Sequence, residues 1–422
     1  MWNVIHQRAS LIQEPNEIRI LRLVRDRKQI SRIEIAKLTD LHKATITDIV
    51  VKLIKAGFLE ETGQVEESDR VGRKRKLLRF RPQAGLVAGA DIRMTHATVA
   101  LTDLNAHILQ QASFPYAVEA SAQDVLSLVA EAIEELLAAA NATRQKLVGI
   151  GVGIQGVIDY ATNRLLVSYN KKDWEGEPLS MALESRFDVP VYVENDVKAM
   201  ALGEYLLGAA KGTNDFVLIW VGNGVGAGIM INGRLLHGVT SSAGEIGFNA
   251  LDLPTFYREN FPLMYRDQEM FGQILTDANF IESYQKASPE IESRDLTVAA
   301  ITQRARYGDQ IARQVIGEYA SLLSILSINI VNTLNPEIIL LGGKLAQSYP
   351  PLAEMLQEKI HSDLLRAPVE TLRVRSARHG ENGVILGAVS LVLYELFEPL
   401  HTASRGRERR ESTLNTTSAP AG

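Results

Sequence analysis

Arg70, Arg73, Lys74, Arg75 and Lys76 crowd around Gly72 within an otherwise polar stretch, 62–76. Cations at this density can neutralise the phosphates of a nucleic-acid backbone or enter a minor groove, and a glycine lets such a loop turn close to its partner. A solubilising surface is the other use of such a run. Upstream, His42, Lys43, Thr45 and Thr47 are offset from the apolar positions Ile46, Ile49, Val50, Leu53 and Ile54, which fall on one helical face. Hydroxyls and an amine at the start of a helix can donate to base edges or phosphates. Lys52 and Lys55, further along, suit phosphate or solvent. A third group is Asp91-Ile92-Arg93-Met94-Thr95, and a fourth is the glycine row Gly222, Gly224, Gly226 and Gly228, with Asn223 and Asn232 nearby. Glycines at a strand turn let backbone N–H groups approach a phosphate without a Cβ in the way, or simply make the turn tight.

The elements that position these residues are legible from periodicity. Residues 17–28 read as an amphipathic helix. Ser31 with Glu34 forms a capping-box pattern that opens a second helix, followed by a turn at Thr39-Asp40-Leu41. The third helix, 43–56, ends at Gly57, a natural helix stop. Strands at 58–61 and 77–80 enclose the basic loop. Three short helices and a strand, loop and strand make a winged helix-turn-helix, with 43–56 as the helix that enters the major groove. From Leu86 strands alternate with helices. Val87–Leu101 reads as strand, turn and strand with Asp91 at the bend, and 215–231 repeats that design. A helix is expected at 121–140, strands at 147–154, 189–194 and 338–341, and a helix at 196–208. This is an α/β body built as two related lobes facing a cleft, with ligand loops at strand ends. The expected domains are a head at 1–82, a body at 83–400 and a disordered tail at 401–422.

The chain has 422 residues, 46% hydrophobic and 23% charged, with no cysteine. That excludes disulfides, thiolate metal sites and cysteine nucleophiles. Charge is unevenly shared. Residues 1–82 hold 18 Lys and Arg against 11 Asp and Glu, whereas the remainder holds 27 against 39. A basic head on an acidic body points to a polyanion partner for the head alone. No secretory signal is legible at the N-terminus, and apolar runs such as Ile338–Leu341 are too short to span a bilayer, so a cytoplasmic protein without a membrane partner is expected.

The order of these features resembles the ROK family of repressors, open reading frames and kinases, in particular its xylose- and N-acetylglucosamine-repressor subgroup. In the head, SRIEIAKLTDLHKATITDIVVKLIKAGFLEE and VGRKRKLL carry the resemblance. In the body it rests on VAGADIRMTHATVALTDLNAHIL, PVYVENDVKAMALGEYLLGAAKG, VLIWVGNGVGAGIMINGRLLHG, SSAGEIGF and NTLNPEIILLGGKL, the last similar to the family's nucleotide-side segment. The resemblance implies the two-lobed fold of sugar kinases, heat-shock protein 70 and actin, with ribonuclease-H-like lobes. It implies that Asp196 matches the kinases' catalytic base, that Asn195 and Glu245 contact sugar, and that Asn170 is a further sugar contact. Asp196 also opens a helix, so a capping role is its alternative.

Two departures from the family matter. Kinases of the family read Asp-x-Gly-Gly-Thr where this chain reads Asp91-Ile92-Arg93-Met94-Thr95, so both glycines of the first phosphate loop are lost. Arg93 could meet a phosphate, but Met94 takes the backbone's room, and the glycines at 222, 224 and 226 are read as scaffold. The family's usual His and cysteine cluster after Glu245 are also missing. Phe248 stands at the His position, where it could stack on a sugar or partly fill the pocket, and Leu251–Gln273 is apolar and aromatic. Zinc and other cofactors are therefore not expected. The expected function is a DNA-binding repressor of carbohydrate-utilisation genes, such as those of xylose metabolism, acting as a homodimer or homotetramer on double-stranded operator DNA. A sugar or sugar derivative bound in a body without kinase activity would control it. The alternatives are a DNA-binding scaffold that senses no sugar and a sugar kinase with a regulatory head.

Overall fold

The computed structural model describes residues 15–66, 75–249, 270–291, 294, 296–363 and 371–397. Its contacts divide the chain into two units, 1–194 with 388–422, and 195–387.

The first unit begins with helices α1 (Pro15–Arg27), α2 (Arg32–Thr39) and α3 (Lys43–Lys55). Ser31 caps α2 in a reciprocal box with Glu34, and Asp40 takes the left-handed conformation that ends it. These are the local signals read from the sequence. Ile20, Leu21 and Val24 of α1 are buried with Ile46, Val50 and Leu53 of α3, so the two apolar stripes share one small core. The short β1 (Ile30–Ser31) pairs with β3 (Arg75–Phe80), which pairs with β2 (Leu59–Glu66), giving the order β1-β3-β2. The strands on either side of the basic loop are thus present and longer than expected.

A five-stranded sheet follows, built from β4 (Leu86–Ile92), β5 (His96–Asp103), β6 (Ile108–Pro115), β7 (Leu147–Ile154) and β10 (Val191–Asn195) in the order β10-β7-β4-β5-β6. Helix α4 (Ala122–Ala139) covers it with Val125, Leu126, Val129, Ile133 and Leu136. A hairpin of β8 (Val157–Asp159) and β9 (Arg164–Val167) leads to α5 (Met181–Phe187). Asp91 is not at the bend. It sits inside β4, paired with Thr98, and the turn falls on residues 93–95.

The second unit carries α6 (Asp196–Leu207) and a second five-stranded sheet. Its strands are β11 (Phe216–Val221), β12 (Val225–Ile231), β13 (Arg234–Leu235), β14 (Ile338–Gly342) and β15 (Arg373–Ser376). The order β13-β12-β11-β14-β15 mirrors the first sheet: an antiparallel meander, then a parallel neighbour of its first strand, then an edge strand. The duplication expected from the two hairpins is therefore topological as well. Helices α7 (Asp277–Ala287), α8 (Val298–Arg306), α9 (Gln310–Leu334) and α10 (Pro351–Asp363) belong to this unit, with Gly308 at positive φ separating α8 from α9.

The last described element is α11 (Gly383–Phe397). Near its end, Phe397 is 2% exposed. Its ring meets Phe80 of β3 edge-on at 5.9 Å, and the Arg25 guanidinium lies 4.2 Å from its centroid. The C-terminal helix is thus built into the head. Segments around α9 and α11 are long and apolar enough to cross a bilayer by composition alone, contrary to the expectation that no run would be. Most of each window is buried inside the protein, the pattern of a core helix. Residues 401–422, read as a tail, lie outside the described residues.

Candidate DNA interface and effector site

The residues expected to contact DNA are built on α3. Burial of Ile46, Ile49, Val50 and Leu53 fixes the helix's rotation, and that rotation leaves His42, Lys43, Thr45 and Thr47 exposed on its N-terminal turns, with Asp48 and Val51 beside them. His42 stands at the N-cap position without making a side-chain cap, and the Thr47 hydroxyl donates to the Lys43 carbonyl at 2.8 Å. Lys52 is not available for phosphate as expected. Its Nζ lies 2.5 Å from Oε1 of Glu17, whose side chain is buried between the helices, so its charge serves the head's own packing. Cations on the wing strand β3 are similarly engaged: Lys76 shares Glu61 with Arg32 of α2, and Arg79 pairs with Glu60. The Lys76 and Arg32 contacts hold the Glu61 carboxyl below its usual range. Arg70, Arg73 and Lys74 lie outside the described residues. Arg75 begins β3, and its side chain is likewise outside the description.

In the first unit, the segment 91–95, expected to be a degenerate phosphate loop, closes on itself. Arg93 Nε donates to Asp91 Oδ2 at 2.8 Å, and the Tyr116 hydroxyl donates to the Arg93 carbonyl. Asp91 is almost fully buried, and burial holds its carboxyl above its usual range despite Arg93. The same burial, with help from the Asp91 charge, pushes the Tyr116 hydroxyl up to about 12. Met94 and Thr95 are exposed at the turn. Arg93, Met94 and Asn170 line one small pocket with Tyr116, Gln155 and Trp174, and Asn170 Nδ2 donates to Gln155 Oε1 at 3.3 Å. Of the sugar contacts expected from the sequence, Asn170 alone lies in this unit.

Asn195, Asp196 and Glu245 are grouped in the second unit. The helix cap is Asn195, not Asp196: its Oδ1 accepts from the backbone N–H groups of Val197 and Lys198 at 3.0 and 3.1 Å. Asp196, half-buried, accepts from Val197 N–H at 2.9 Å. The loop that carries Glu245 is tied to the same helix. Buried Lys198 donates from Nζ to the Ser241 carbonyl at 2.5 Å, and Ala227 N–H donates to the Gly244 carbonyl at 2.7 Å. Gly244 has φ +93, and a Cβ there would fall 2.0 Å from the Ala227 oxygen, so only glycine seats this loop on β12. Glu245 is half-buried, whereas Phe248 is 56% exposed. Residues 250–269 lie outside the described residues, so most of the stretch expected to replace a zinc staple is not seen.

The glycine row divides by role. A Cβ at Gly228 would meet Ala201 Cβ at 2.3 Å, and one at Gly226 would press on Val197, so these two let α6 approach β12. Gly224 faces open space, and Gly222 sits beside Trp220. A Cβ at Gly342 would fall 2.4 Å from Trp220 Cε3. The indole therefore lies against the segment that resembles the family's nucleotide side.

Sequence reasoning missed Lys171, Lys198, Trp220 and Phe397. Lys198 carried a signal, a single lysine within the apolar run Val197–Leu202. Lys171 carried none, since nothing local separates it from its neighbour Lys172.

Comparisons with known proteins agree with this layout. Residues 87–395 match the ROK family, and residues 14–64 match the MarR family. The chain is 27% identical over 395 residues to the xylose repressor of Caldicellulosiruptor bescii, covering 92% of this chain and 97% of that protein. It is 27% identical over 380 residues to the DNA-binding transcriptional repressor Mlc of Escherichia coli, covering 89% and 92%. Among solved structures, a ROK family transcriptional regulator homologous to E. coli Mlc superposes with a TM-score of 0.77, at 24% identity, over 92% of this chain and 98% of that one. The ROK hexokinase of Thermus thermophilus superposes at 0.58, at 25% identity, over 72% and 97%.

Proposed function

This chain belongs to the ROK family, and from that premise we propose that it represses carbohydrate-utilisation genes by binding operator DNA through its head and a sugar or sugar derivative through its body. The observation that carries this reading is coverage. Repressors match the chain from head to C-terminal helix, whereas the hexokinase structure spans 72% of it. It is a DNA-binding regulator tied to sugar metabolism, not a phosphoryl-transfer enzyme. The loop at 91–95 fits that assignment: Arg93 is engaged with Asp91, and Met94 stands where close backbone approach to phosphate needs glycine.

In this reading His42, Lys43, Thr45 and Thr47 meet the major groove, while Arg70, Arg73, Lys74 and Arg75 follow the phosphate backbone. Asn170, Asn195, Asp196, Glu245 and Phe248 contact the effector, whose hydroxyls need directional partners once buried. The protein acts as a homodimer or homotetramer, in keeping with two-fold operators. The test is fluorescence anisotropy of the full chain on DNA from upstream of its own gene and of the genes beside it, with and without xylose, glucose, N-acetylglucosamine and their phosphates. Specific binding that one of these compounds shifts by about tenfold or more is expected. Binding that none of them shifts would favour the scaffold alternative.

A further inference from the structure

The small pocket of the first unit has an uncompensated charge on its wall. Lys171 lines it and is 6% exposed. Its Nζ donates to the Val118 carbonyl and lies 5.4 Å from the Tyr116 ring centroid and 5.1 Å from that of Trp174. Among the described residues no carboxylate lies within ion-pair distance of it. A buried ammonium ordinarily has an anionic partner, because a carbonyl and two aromatic faces only partly replace its hydration. Asp91 and Glu175 each have a partner of their own. Asp91 is paired with Arg93, and Glu175 Oε1 accepts from Ser168 N–H at 2.9 Å. Arg93 and Asp91 offset one another, so Lys171 sets the sign of the pocket. Donors surround it: the Arg93 guanidinium, part-exposed at 41%, and the Asn170 amide both line the same opening.

We propose that this pocket takes a small anionic group, a phosphoryl or carboxylate carried by the effector, with Lys171 as its counter-ion and Arg93 and Asn170 as supporting donors. The inference rests on the reading that the body binds a sugar-like effector, and it narrows that effector to an acidic one. Lys171 is held by the Val118 carbonyl, and the Trp174 indole N–H, donating to the Ala120 carbonyl at 3.0 Å, fixes the wall beside it. The ammonium is thus positioned before any ligand arrives, which lowers the ordering cost of binding.

The experiment is calorimetric titration of the full chain, at constant ionic strength, with inorganic phosphate, glucose, glucose 6-phosphate and glucuronate. The variants are Lys171→Met, which keeps length and removes charge, and Lys171→Arg, which keeps charge. Wild type is expected to bind phosphate weakly and one acidic sugar about tenfold or more tighter than glucose. Glucose 6-phosphate and glucuronate distinguish the two sources of the anion. Lys171→Met is expected to lose that preference, and Lys171→Arg to retain it within a few-fold. Glucose binding as tightly as both acidic sugars in the wild type overturns the proposal even if Lys171→Met does not fold, while leaving the effector reading intact. A preference that survives in Lys171→Met, even with a lowered melting temperature, also overturns it and makes Lys171 a packing residue. Silence of all four probes in titration, together with DNA affinity that no sugar alters, would remove both readings.

Discussion

Replacing Phe397 by alanine tests whether the head depends on the far end of the chain. The ring is 2% exposed, meets Phe80 at 5.9 Å and 77°, and carries the Arg25 guanidinium at 4.2 Å. Truncating a buried phenylalanine costs about 3–5 kcal/mol through lost burial and the cavity left behind. Phe397→Leu keeps most of the volume and forfeits mainly the edge contact, about 0.5–1.5 kcal/mol, and the cation–π contact, about 0.5–1 kcal/mol. The leucine variant should therefore lose about 1–2.5 kcal/mol. Calorimetry should show an early transition in Phe397→Ala that is smaller or absent in Phe397→Leu, and proteolysis should find the head first. A cycle with Arg25→Ala should show coupling of about 0.5–1 kcal/mol to the aromatic ring, lost in the leucine background. A Phe397→Ala protein within about 0.5 kcal/mol of wild type, or alanine and leucine variants of equal cost, would refute the reasoning.

On α3, Lys43→Ala should weaken operator binding and lower the salt slope by about one while leaving stability unchanged, whereas Lys52→Ala should cost about 1–3 kcal/mol of head stability by taking the donor from buried Glu17, read by salt-titrated anisotropy and urea melts. Asp196→Asn preserves the acceptor for Val197 N–H and should weaken effector binding by roughly 1.5–3 kcal/mol without altering operator affinity; unchanged effector affinity would remove Asp196 from the site. Asn195→Ala should cost about 1 kcal/mol in urea melts through the lost cap, whatever its effect on effector. Burial holds the Asp91 carboxyl above its usual range, so the native state takes up this proton at a higher pH than the unfolded chain. Stability should gain from this group as pH falls through the raised value, and urea midpoints of Asp91→Asn measured across that range should lack the gain.

Local signals carried much of the fold. The Ser31–Glu34 box, Asp40 at a left-handed turn and the α3 stripe are short-range rules, and each is present where the sequence placed it. The two hairpins disclosed two related sheets because a strand, turn and strand is also local. What escaped was non-local. No residue near Phe397 announces that it packs on Phe80, more than 300 positions away, and only three-dimensional packing separates buried Lys171 from exposed Lys172. Lys52 misled for the same reason, since its partner Glu17 is two helices upstream. Asn195 and Asp196 show a finer limit. The sequence located a helix start there, but which of two adjacent polar residues caps it depends on the backbone angles at the junction.

The indole of Trp220 makes positions 220 and 342 a single unit of exchange. They are cross-strand neighbours on β11 and β14, and a Cβ at Gly342 would fall 2.4 Å from Trp220 Cε3. Alanine is thus admitted at 342 only where a smaller side chain replaces the indole. Urea midpoints should show Gly342→Ala tolerated better beside Trp220→Leu than alone, so the two positions can change together more easily than Gly342 can change by itself.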